Sequence, residues 1–156
     1  MGIEIERKFL VANESWRELA NEGTLYRQGY LIGAKQASVR VRIEGEQAFL
    51  NIKSMTLGVT RQEYQYSIPL DEAIQLLDTL CEKPLIEKTR YKLHYAGQEW
   101  EIDVFAGENA GLIVAEVELE SEQQHIDLPP WVGVEVSTDP RYYNVNLVKH
   151  PYTTWQ

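Results

Sequence analysis

Glu4-Ile5-Glu6-Arg7-Lys8-Phe9-Leu10 is the stretch on which the fold turns. In an extended segment alternate side chains face opposite ways, so Glu4, Glu6 and Lys8 share one face while Ile5 and Phe9 take the other. Two carboxylates and an ammonium in a row are costly in a packed interior, where an unpaired charge loses its hydration. They suit a wet cavity that takes a metal and a highly charged anion. Taken alone, such a strand reads more simply as a solvated edge, so the decision rests on the other strands.

Working outward, the pattern repeats. Residues 25–32 read as a second strand, with Gly33 beginning a turn. Ser38-Val39-Arg40-Val41-Arg42-Ile43 sets Arg40 and Arg42 against Val39, Val41 and Ile43. After a turn at Glu44-Gly45-Glu46, residues 48–53 set Asn51 and Lys53 against Leu50 and Ile52, which makes a hairpin. Residues 60–68 place Arg61, Glu63 and Gln65 opposite Tyr64, Tyr66 and Ile68. In 86–93 the cations Lys88, Arg90 and Lys92 are in phase against Tyr91 and Leu93. In 98–104 Glu99, Glu101 and Asp103 are in phase, and in 114–120 so are Glu116, Glu118 and Glu120. A short strand at 132–136 follows.

Three helices are expected around these strands. Asn13 as a cap, with Trp16, Leu19 and Ala20 on one face, predicts a short one. Over 71–80 the period changes, and Ala73, Ile74, Leu77, Leu80 and Cys81 recur at helical spacing until Pro84. Asp139 as cap and Pro140 at the first position predict a closing helix over 140–149, ending before Pro151.

Composition limits the function classes. With 156 residues, a single domain over 1–156 is expected. Hydrophobic residues make up 44% and charged ones 25%, which argues against disorder. A net charge of -9 speaks against nucleic acid and anionic membranes as partners, since both reward a basic surface. The single cysteine, Cys81, excludes an internal disulfide framework and suits a reducing compartment. No apolar run is long enough to cross a bilayer, and charges stand where a signal peptide needs its apolar core, so a cytoplasmic location is expected.

A wet sheet face needs only mixed polar residues, whereas here the in-phase charges are sorted. Acids come in pairs (Glu4/Glu6, Glu101/Asp103, Glu116/Glu118) and so do bases (Arg40/Arg42, Lys88/Arg90). Closing about eight antiparallel strands into a barrel turns these faces inward and leaves the apolar faces outside for helices to cover. The expected fold is therefore α+β, a closed antiparallel eight-stranded tunnel with a charged lumen. Acids on one wall would hold divalent ions, and bases on another would hold phosphates.

Glu4-x-Glu6-x-Lys8 resembles the signature of the triphosphate tunnel metalloenzymes, the CYTH superfamily. The resemblance extends through Arg40-x-Arg42, Lys53, Arg61-x-Glu63, Lys88-x-Arg90, Asp103 and Glu116-x-Glu118 to Glu135-Val136-Ser137-Thr138-Asp139-x-Arg141-Tyr142. It implies a metal-dependent hydrolase that cleaves inorganic triphosphate, with Mg²⁺ or Mn²⁺ as cofactor, acting as a monomer or homodimer. Carried over by motif, Glu4, Glu6, Asp103, Glu116 and Glu118 look like metal ligands, with Glu63 a helper. Lys8, Arg40, Arg42, Lys53, Lys88 and Arg90 look like the phosphate cradle. Arg61 either joins them or pairs with Glu63. Lys8 is expected to position the attacking water, and Lys88 or Arg90 to support the leaving group. Thiamine triphosphatase, a class IV adenylyl cyclase and a non-catalytic polyphosphate-binding module are the alternatives. Tyr26 and Tyr30 are candidate partners for a tunnel lysine. Trp16, Trp131 and Trp155 are expected to pack, and His94, His125 and His150 to lie on the surface.

Overall fold

The computed structural model describes residues 2–33, 36–55 and 58–155. The alternating stretches form nine strands: β1 (Ile3–Val11), β2 (Thr24–Gly33), β3 (Ala37–Glu44), β4 (Gln47–Ser54), β5 (Thr60–Ser67), β6 (Ile86–Tyr95), β7 (Gln98–Phe105), β8 (Ile113–Glu118) and β9 (Val132–Glu135). Two α-helices, α1 (Leu70–Thr79) and α2 (Asn144–Lys149), accompany them. Eight strands run in the order β5-β4-β3-β2-β6-β7-β8-β1, and the pairing of β1 with β5 closes the barrel. All the pairings are antiparallel.

β1 is the seam. One of its edges pairs with β8 from Glu6 to Leu10. Its other edge is shared, with Ile3 to Ile5 on β5 and Phe9 and Val11 on β9. β9 therefore stands outside the closed ring.

Outward residues are covered in two places. Over β1, β7 and β8, Phe9, Trp100, Ile102 and Val117 pack with Trp16 and Trp131. Trp100 meets Trp131 edge-on at 5.4 Å, the geometry that aromatic quadrupoles favour. Over β3 and β4, Val41, Ile43 and Ala48 are covered by Ala73, Leu77 and Cys81. Gly29 makes that approach possible, because a Cβ there would lie 2.7 Å from Leu85 Cδ2 and 2.8 Å from Cys81 Cβ.

A third cluster lies at one end of the lumen. The inward phase turns apolar there, at Leu10, Tyr30, Met55, Ile86, Phe105 and Val114, and Tyr143, Val145, Leu147 and Val148 pack against it. α2 thus seats on an end of the barrel, while α1 packs on its outer wall.

Four expectations are corrected in detail. The Asn13 signal yields only a 3-10 helix, Ser15–Glu18, in which Asn13 Oδ1 accepts from the Ser15 amide; Trp16 is buried but Leu19 is exposed. Ile74 and Leu80 do not join the buried stripe of α1, whose C-cap is Leu80, ahead of Pro84. The strand at 114–120 ends at Glu118, leaving Glu120 outside it. The closing helix is not continuous. Pro140–Tyr142 forms a 3-10 turn capped by Asp139, Tyr143 is extended, and α2 starts after it. Tyr143 leaves the helical path because its hydroxyl donates to the Ser137 carbonyl at 3.1 Å and its ring faces the lumen. Among the described residues no helix is long and apolar enough to cross a membrane.

Candidate active site

The barrel encloses a cavity of about 360 Å³. Glu4, Glu6, Lys8, Arg40, Arg42, Lys53, Arg61, Glu63, Lys88, Arg90, Glu116 and Glu118 all border it. Of the thirteen residues expected in the site, Asp103 alone stands off the cavity wall.

The cationic wall begins on β3. Arg40 is buried, and its Nε and Nη2 have no partner among the described residues; the same holds for Arg42 Nε. Arg42 Nη2 lies 2.7 Å from Glu44. Burial, then the neighbouring Arg40 and Arg90, pull Arg42 down to about 10. Unpartnered guanidinium N–H groups in a buried wall carry a full desolvation penalty, which an anion in the cavity would remove. Tyr26, on β2, presents its ring to Arg42 at 5.2 Å, to Arg90 at 5.0 Å and to Lys88 at 5.8 Å. It meets the lysine through its π-face.

β6 supplies Lys88 and Arg90, and β7 places Asp103 behind them in register with Arg90. Arg90 donates to Asp103 through Nε at 2.7 Å and Nη2 at 2.8 Å, and Lys88 Nζ donates at 2.8 Å. Asp103 is fully buried and both its oxygens are taken. Asp103, expected among the metal ligands, here holds the two cations in place from behind. Burial raises Asp103, but Arg90 and Lys88 outweigh this and hold it below the usual carboxylate range. Burial also pulls Lys88 down to about 8 against the attraction of Asp103.

The acidic wall is built by β1 and β8, where Glu6 faces Glu118 and Lys8 faces Glu116 in register. Burial first, then the charges of Glu116 and Glu4, push Glu6 up to about 8. Burial also raises Glu116, but Lys8, Arg90 and Lys88 hold it well below its ordinary value, helped by a hydrogen bond from Glu6. The two carboxyls are thus pushed in opposite directions, Glu6 up and Glu116 down. Lys53 bridges Glu4 at 3.1 Å and Glu63 at 3.4 Å. Lys8 lies 4.0 Å from Glu116. Among the described residues no three acidic or imidazole side chains already converge as a metal site. Arg61 stacks on the Tyr143 ring at 4.2 Å, so Glu63 has Lys53 as its cation instead.

Sequence reasoning missed Tyr143 and Asn144, which border the cavity from the break before α2, and Gln28, buried beside them. Gln28 shares the inward phase of Tyr26, which was the available signal. His94 and His125 are exposed, as is His150, and Trp16 and Trp131 are buried in the outer cluster.

A closed barrel whose lumen holds unpartnered arginines beside lysines and paired carboxyls defines a class of proteins that enclose a small polyanion. The CYTH domain family matches residues 2–152, and the chain belongs to that family. The chain is 49% identical over 156 residues to an inorganic triphosphatase of Acetivibrio thermocellus, covering 100% of this chain and 99% of the relative. It is 41% identical over 148 residues to an inorganic triphosphatase of Nitrosomonas europaea, covering 92% and 95%. A crystal structure of an inorganic triphosphatase superposes with a TM-score of 0.68 at 40% identity, over 93% of each chain.

Proposed function

We infer that the protein is an inorganic triphosphatase, cleaving triphosphate to pyrophosphate and phosphate inside the barrel. The observation that carries this reading is the pair Arg40 and Arg42, which border the cavity beside Lys8, Lys88 and Arg90 and keep buried N–H groups without a partner among the described residues. Relatives named for the same activity support it.

In the reaction the water oxygen bonds to a terminal phosphorus and the bridging P–O bond breaks. The electron pair departs on pyrophosphate; one water proton stays with the phosphate product and the other passes to the departing pyrophosphate. Arg40 and Arg42 neutralise equatorial oxygens as charge develops. Lys8, held between Glu116 and the Tyr142 carbonyl, orients the water. Lys88 and Arg90, fixed by Asp103, support the departing pyrophosphate. The neighbouring carboxyls Glu6 and Glu116 are hard oxygen chemistry suited to a divalent cation. Glu4, Glu6, Glu116 and Glu118 would hold Mg²⁺ or Mn²⁺, which supplies positive charge against the phosphate oxygens. Glu63 keeps Lys53 in place. The single unpaired cysteine, Cys81, supports a cytoplasmic location.

The test is phosphate release from triphosphate, thiamine triphosphate, ATP and pyrophosphate at matched concentrations, with Mg²⁺ and with Mn²⁺. Preference for triphosphate is expected, and Glu4→Gln abolishes metal-dependent turnover. Cyclic product from ATP, or full activity of Glu4→Gln without added metal, contradicts the assignment.

A further inference from the structure

Three cations of the cradle are held by one short stretch of chain. Lys8 Nζ donates to the Tyr142 carbonyl at 3.4 Å and lies 5.7 Å from the Tyr143 ring centroid. Arg61 stacks on the same ring. Lys88 Nζ donates to Asn144 Oδ1 at 3.1 Å, and the fully buried Gln28 donates its Nε2–H to that atom at 2.7 Å. An ammonium has only donors, so the atom it approaches must be the carbonyl oxygen of Asn144, which fixes the orientation of the amide. Asn144 Nδ2 is therefore turned away from Lys88. It has no acceptor among the described residues, and Asn144 borders the cavity.

An aspartate at this position would hold Lys88 more tightly, as Asp103 does. A neutral amide has a different property: one end accepts from the lysine while the other donates. Beside a cavity for a polyanion, those donors meet phosphate oxygens without the repulsion a carboxylate would bring. The apolar cluster around Val145 and Leu147 blocks the lumen just beyond, so the phosphate reached is the deepest one.

We propose that Asn144 is a substrate-positioning residue. Its Nδ2–H groups donate to the phosphate seated at the closed end of the tunnel while its carbonyl oxygen anchors Lys88. The inference rests on the triphosphate reading of the cavity.

The experiment compares wild type, Asn144→Asp and Asn144→Ala. It measures kcat and KM for inorganic triphosphate with Mg²⁺, calorimetric affinity for triphosphate, and Tm. Asn144→Asp keeps the acceptor for Lys88 and Gln28, so it folds with an unchanged Tm. Its KM rises by about tenfold or more, its affinity falls in parallel, and kcat moves far less. Asn144→Ala, which lacks the donors but adds no charge, shows a smaller rise in KM. A residue acting only by holding Lys88 gives the reverse order, because aspartate preserves that contact and alanine removes it. The reverse order, or wild-type KM and affinity in Asn144→Asp, overturns the proposal. Wild-type protein that neither binds nor cleaves triphosphate overturns the reading of the cavity itself, which is a distinguishable failure.

Discussion

Replacing Asp103 by Asn tests the central electrostatic arrangement. The carboxylate lies at full burial with Arg90 on both oxygens at 2.7 and 2.8 Å and Lys88 at 2.8 Å. An amide of the same shape offers one acceptor instead of two and turns an NH₂ group towards a cation. Two buried positive groups then lose their countercharge. Breaking a buried pair by removing one partner costs about 3–5 kcal/mol. In a domain of this size each kcal/mol moves the melting point by about 2–4 °C, so Tm should fall by roughly 6–20 °C. Burial already pulls Lys88 down to about 8 in the presence of Asp103, and without the carboxylate it goes lower and loses charge near neutrality. The assay is scanning calorimetry of metal-free protein, alongside divalent-cation titration. If Asp103 instead served as a metal ligand, the metal-free melting point would hold and only cation affinity would drop. That pattern would refute the reasoning.

Arg40→Met should weaken triphosphate binding by roughly a hundredfold, the loss of one to two charge-assisted hydrogen bonds. The metal-free variant should be at least as stable as wild type, because two unpartnered N–H groups leave a buried site; calorimetric titration and urea unfolding read the two effects. Trp100→Ala removes a fully buried ring set against Phe9 at 5.7 Å and Trp131 at 5.4 Å, and should cost about 3–5 kcal/mol in urea unfolding. The clasp of β9 on β1 should respond to pH. A hydrogen bond from Arg7 holds Glu135 below its ordinary value of 4.5, so its contribution is complete above that value and is lost as pH falls through the folded pKa. The pair is part-exposed, so the contribution is under about 1 kcal/mol. Glu135→Gln should be slightly less stable than wild type at neutral pH and equal to it in acid, and a gap that persists in acid would disprove the linkage.

The strands and the inward phase of the lumen were legible in the sequence, because a period of two with acids and bases sorted onto separate strands arises where those strands enclose a charged lumen and has no use on an open, solvated face. The pattern of residues 38–43 puts Arg40 and Arg42 on one face, and the sorted charges of the other strands turn that face inward. Asp103 shows the limit: phase assigns a side chain to a face but says nothing of its depth. Only the register Asp103 against Arg90 sets it behind the cations. Asn144 and Gln28 were missed because a neutral amide leaves no charge pattern, and its role depends on partners 116 residues away in sequence. The break at Tyr143 lay hidden under a good helix start at Asp139-Pro140. There a tertiary contact, the ring beneath Arg61, overrides a local propensity.

The same phase that carries charge through the middle of the barrel carries apolar groups at one end, at Leu10, Tyr30, Met55, Ile86, Phe105 and Val114. This switch has an electrostatic consequence. Unpartnered guanidinium groups attract an anion strongly only where water is scarce, since the attraction scales inversely with the local dielectric constant. An apolar floor completed by Val145, Leu147 and Val148 keeps water from that side, while Lys92 and Glu99 stay exposed at the other. Among the described residues, the arginines and Lys88 thus sit between an apolar floor and a charged mouth. A polyanion entering from that mouth gives up its hydration progressively and gains cations as it descends, and the cleaved products face the same path out. The greasy positions that interrupt the charge pattern are accordingly part of the binding site.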